Sequence, residues 1–103
     1  MFIQVTTTID SQEAARELAR SAVEARLAAC AQISGPIESV YRWQSQVEQA
    51  QEWVVVFKTR ALGYPGLEAH IKANHPYDVP EIVATPISEG SPDYLSWVEA
   101  NAS

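Results

Sequence analysis

Ile37-Glu38-Ser39-Val40-Tyr41-Arg42-Trp43, a polar Gln44-Ser45-Gln46, and then residues 47–60 with Trp53-Val54-Val55-Val56-Phe57 at their centre spell out a long β-hairpin. In its first arm Ile37, Ser39, Tyr41 and Trp43 alternate with Glu38, Val40 and Arg42, the period-2 pattern of a strand with two unlike faces. The centre of the second arm is apolar on both faces, as an interior strand requires. Upstream, residues 27–33 have strand composition too, and Ser34-Gly35-Pro36 interrupts them. Proline lacks the ladder donor, so that tripeptide predicts a bulge or bend.

Outward from the hairpin the remaining elements follow. Residues 2–9, with Ile3-Gln4-Val5-Thr6-Thr7-Thr8-Ile9, read as a first strand. Asp10 followed by Glu13 predicts a capping box, and Ala15, Leu18, Ala22 and Ala25 recur at helical spacing behind it. Gly63 and Pro65 open a second helix with Tyr64, Leu67, Glu68, Ile71 and His75 along one side, and Pro76 ends it. Residues 81–87 form a fourth strand. Ser91 as cap and Pro92 at the first helical position start a terminal helix whose Tyr94, Trp97 and Val98 share a face. The expected fold is therefore α+β, a ferredoxin-like βαββαβ sandwich with an additional C-terminal helix, forming one domain over residues 1–103. Right-handed crossovers would bring its first and third strands together at the centre.

Each hairpin arm has roughly 15 residues and would span ~50 Å at 3.3 Å per residue. A globule of this length is only ~33 Å across. The hairpin must bend at Ser34-Gly35-Pro36 or project, and a projecting ribbon would expose Tyr41, Trp43 and Val47. A homo-oligomer in which neighbours pair with these arms is the expected assembly.

Composition narrows the partners. Seven Lys and Arg against thirteen Asp and Glu give a net charge of −6, which argues against nucleic acid as a partner. The apolar runs are far shorter than the ~20 residues that cross a bilayer, and residues 1–5 lack the basic start of a signal peptide. The single cysteine, Cys30, excludes an internal disulfide and points to the reducing cytoplasm.

The densest polar stretch is His75-Pro76-Tyr77-Asp78-Val79-Pro80-Glu81, an imidazole, a phenol and two carboxylates between two fixing prolines. It reads either as a pre-organised metal or polar-ligand site or as a helix stop and turn in which Asp78 bonds local amides. Cys30 is a soft metal donor or a small core hydrophobe. No CxxC, HxH or HExxH spacing exists, so metal donors (Cys30, His75 and Glu81 being the candidates) must come from distant segments or several subunits. Lys58 and Arg60 could bind an anion or snorkel from a buried strand. His70 is expected to face solvent without a role. GxSxG, Walker A and GxGxxG are all lacking, and no catalysis is expected.

Taken in order, Cys30-Ala31-Gln32-Ile33, Ser39-Val40-Tyr41-Arg42-Trp43, Glu52-Trp53, Phe57-Lys58-Thr59-Arg60, His75 to Ile82 and Tyr94-Leu95-Ser96-Trp97 resemble the CutA divalent-cation tolerance family from the first strand to the last helix. The resemblance implies a homotrimer with hairpins reaching across neighbours, a cytoplasmic location, and a link to tolerance of divalent metals, with copper, as Cu(II), or another divalent ion as the bound species. It maps the family's cysteine to Cys30 and its polar loop to His75, Tyr77, Asp78 and Glu81, which in a trimer would line an inter-subunit cleft with Trp43 and Lys58 contributed nearby; within that cleft Cys30, His75 and Glu81 are the expected metal donors and Trp43, Lys58 and Tyr77 the expected ligand contacts. The architecture it implies is also similar to PII signalling proteins, so the alternative is a module that binds a small anionic ligand or a protein partner in that cleft. Ser45 stands in the hairpin turn where the family usually carries glycine.

Overall fold

A computed structural model describes residues 1–103. The elements run β1 (Phe2–Ile9), α1 (Gln12–Glu24), β2 (Cys30–Trp43), β3 (Gln46–Arg60), a 3-10 turn (Ala61–Gly63), α2 (Tyr64–Asn74), β4 (Val83–Ile87) and α3 (Pro92–Asn101). The order is the one expected from the sequence. The strands form one antiparallel sheet in the order β2-β3-β1-β4, with the first and third strands at its centre.

Alternation in β1 and β3 sets the layers. Ile3, Val5, Ile9, Val55 and Phe57 point to one face, where Ala15, Leu18, Ala19 and Ala22 of α1 and Leu67 and Ile71 of α2 complete the main core. Phe2 points to the opposite face and packs with Ala29, Val98 and Ala102, so α3 covers only one end of it.

Several boundaries differ from expectation, each for a local reason. The cap of α1 is Ser11, whose Oγ accepts the Ala14 N–H at 3.1 Å, and not Asp10. Glu13 thereby falls one position too early for a capping box. Ala25 is an exposed cap position outside the buried stripe. Arg26 is left-handed (φ 61°), and the Arg26 and Leu27 amides return to the Val23 and Ala22 carbonyls. This helix-ending motif delays β2 to Cys30. Pro76 holds His75 extended, which ends α2 at Asn74. The hairpin turn is the pair Gln44-Ser45, both at positive φ (50° and 66°), while Gln46 already pairs with Trp43. β4 starts at Val83 rather than residue 81. His70 is not free: its Nε2 lies 2.8 Å from Ser21 Oγ, joining α2 to α1.

The hairpin projects. Its arms of 14 and 15 residues lie along a molecule measuring 45 × 25 × 22 Å. Ser34 pairs with Val54 and Ile37 with Glu52, so three steps on β2 match two on β3, the expected bulge at Ser34-Gly35-Pro36. One extra residue reverses the pleat of β2. Beyond it Ile37, Ser39, Tyr41 and Trp43 take over the face that Cys30, Gln32 and Ser34 occupy before it. Gly35 makes the bulge possible: its φ is +147°, and a Cβ there would lie 2.8 Å from Trp53 Cδ1 and 3.1 Å from the Glu52 carbonyl oxygen.

Candidate functional site

The reversed pleat places Tyr41 and Trp43 in line with Glu52 on one face of the hairpin. Opposite stands the loop that follows α2. Pro76 turns the chain out of the helix, and His75 anchors the loop to β1. Its Nε2 donates to the Thr8 carbonyl at 2.8 Å, and its Nδ1 accepts the Tyr77 N–H at 3.2 Å. These two bonds assign the neutral tautomer with its proton on Nε2. The His75 and Tyr77 rings meet edge-on, with centroids 4.6 Å apart. Tyr77 is thus aimed at the hairpin, where its hydroxyl donates to Glu52 Oε2 at 2.6 Å.

Between loop and hairpin lies a cavity of about 690 Å³, whose walls include Tyr41, Trp43, Glu52, Tyr77, Asp78 and Glu81. Arg42 is the one basic side chain on its wall. Glu52 is only 6% exposed. The Tyr77 hydroxyl is its one side-chain hydrogen-bond donor, and no Lys, Arg or His nitrogen lies within salt-bridge reach of it. Burial, and then the bond to Glu52 and its negative charge, raise the Tyr77 phenol well above its ordinary value of 10.0. The phenol therefore stays protonated as a donor.

Of the residues singled out in the sequence, Trp43, Tyr77 and Glu81 meet in this cavity. Lys58 does not: it pairs with Cys30 across the strands, and its Nζ donates to Gln32 Oε1 at 2.6 Å. Cys30 Sγ lies 3.5 Å from the Tyr94 hydroxyl. That bond, then burial, pushes the Tyr94 phenol up to about 12. Lys58 faces Gln4 of β1, whereas His75 is held at Thr8, four residues on and about 13 Å along the strand at ~3.3 Å each. Cys30, His75 and Glu81 therefore do not converge within the chain, and both His75 nitrogens are already engaged. No three His, Cys, Asp or Glu side chains gather closely enough to hold a metal ion.

Sequence reasoning gave Glu52 no role. Its only local signal is a carboxylate bordering the apolar run Trp53 to Phe57, and its burial depends on Tyr77, which is 25 positions away. Tyr41, expected on the exposed face of the ribbon, forms part of the cleft wall.

The CutA1 divalent ion tolerance protein model matches residues 3–101. This chain belongs to the CutA1 divalent ion tolerance family. The divalent-cation tolerance protein CutA of Thermus thermophilus is 47% identical over 97 residues, covering 94% of each chain. The chloroplastic CutA protein of Arabidopsis thaliana is 44% identical over 97 residues, which is 94% of this chain and 53% of that one. A solved Cut A1 structure from Thermus thermophilus superposes with a TM-score of 0.97 at 46% identity, covering 100% of both chains. The α+β fold, with its four-stranded antiparallel sheet and three helices, is thus a CutA1 fold. The Arabidopsis relative is named chloroplastic, and a solved CutA from Archaeoglobus fulgidus, 35% identical with a TM-score of 0.92 over 95% of each chain, is named periplasmic. No helix of this chain is long and apolar enough to cross a membrane.

Proposed function

We propose that the chain is a non-enzymatic, homotrimeric divalent-cation tolerance protein, a ferredoxin-like single domain that acts by accepting a cation in the cleft at Glu52 and Tyr77. The observation that carries this reading is Glu52, a carboxylate 6% exposed on a cavity wall, with one hydroxyl donor and no positive partner. Such a group is costly to bury alone and is stabilised by an incoming positive charge. Asp78 and Glu81 on the same walls add to the negative field.

The trimer is supported by what one subunit leaves uncovered. Val40, Tyr41, Trp43 and Val47 are exposed on the projecting hairpin, and α3 covers only one end of its sheet face. A cytoplasmic location suits the free thiol of Cys30. A copper site built from Cys30, His75 and Glu81 would need donors from more than one subunit and release of His75 from Thr8. The PII-like reading draws support from Trp43 and Tyr77 sharing one cavity, but three carboxylates against Arg42 disfavour an anionic ligand there.

The test is a thermal-shift titration at about 1 M NaCl, where the Debye length is only ~3 Å and diffuse ion attraction is suppressed. Divalent copper and manganese are compared with phosphate and citrate, on wild type, Glu52→Gln and Cys30→Ser. A saturable rise with cations that Glu52→Gln removes is the expected result. A rise with anions alone, or a cation effect lost in Cys30→Ser and kept in Glu52→Gln, overturns the cleft assignment.

A further inference from the structure

We draw no further inference here: the strongest candidate, the cluster of Cys30, Lys58, Gln32 and Tyr94 on the sheet face beside α3, rests on a lone cysteine with no second observation that points to a ligand.

Discussion

The two halves of the β2–β3 hairpin have the same hydrogen-bonded ladder and opposite fates. In the inner half, Val55, Phe57 and Thr59 are fully buried, because β1 lies alongside β3 and two helices pack above. The Thr59 hydroxyl is spent on the Leu27 carbonyl at 2.9 Å. In the outer half, residues 37–43 and 46–51 have only each other, and Val40 and Val47 are 59% and 64% exposed. Between them stands Glu52, the one buried residue on the hairpin side of Trp53. Strand pairing fixes backbone geometry in both halves, but burial comes only from a second layer. The inner half is anchored by core packing; the outer half is held by its ladder, its tight turn and the Tyr77 bond to Glu52.

The largest test of this contrast is Phe57→Ala. Phe57 is completely buried in the main core, and its truncation should cost about 3–5 kcal/mol by urea denaturation. A loss under about 1 kcal/mol would mean the inner half is no better anchored than the outer, since surface changes stay within roughly that range.

Next comes the hinge between the halves. Gly35→Ala forces a Cβ into a φ of +147° and against Trp53 and the Glu52 carbonyl, so a loss of about 1–3 kcal/mol is expected. Because the same residue sets the pleat that aims Tyr41 and Trp43, the variant should also show altered near-ultraviolet tryptophan dichroism. An unchanged midpoint together with an unchanged spectrum would show that the bulge does not depend on glycine.

The smallest expected effect lies at the junction itself. Tyr77→Phe removes the donor to Glu52 and should cost about 1–2 kcal/mol near neutral pH. The wild type carries a pH signature as well. The folded Tyr77 phenol holds its proton above the ordinary value of 10.0, where the unfolded chain releases it. Folded protein then binds more protons than unfolded, so stability is intact below about pH 10 and falls as pH rises past it. Tyr94 and Tyr64, also raised, act in the same sense. Tyr77→Phe should therefore flatten the alkaline decline without abolishing it. A decline as steep as the wild type's would place Tyr77 outside the folded linkage.

Much of this could be read along the chain. The bulge at Ser34-Gly35-Pro36 was legible because glycine beside proline cannot sit in a regular ladder. The end of α2 was legible at Pro76. Less legible were boundaries decided by competition between neighbours, such as Ser11 over Asp10 as the helix cap. The left-handed turn at Arg26, where no glycine announces it, was not legible at all. In the cleft, the ligand candidates Trp43 and Tyr77 and the metal candidate Glu81 line one cavity. Lys58 and Cys30 were grouped with them, and register carries both to the far end of the sheet.

Sequence by itself determined the element order, the interior position of β3 and a hairpin too long for its own globule, which had to bend or project, because these depend on period, local backbone preference and chain length. Tertiary structure alone decided that Glu52 is buried, that His75 spends both ring nitrogens on Thr8 and Tyr77, and that Cys30 lies apart from both. Those facts arise from residues far apart in the chain meeting in space. A carboxylate's isolation or an imidazole's engagement depends on what surrounds it, which no local pattern records.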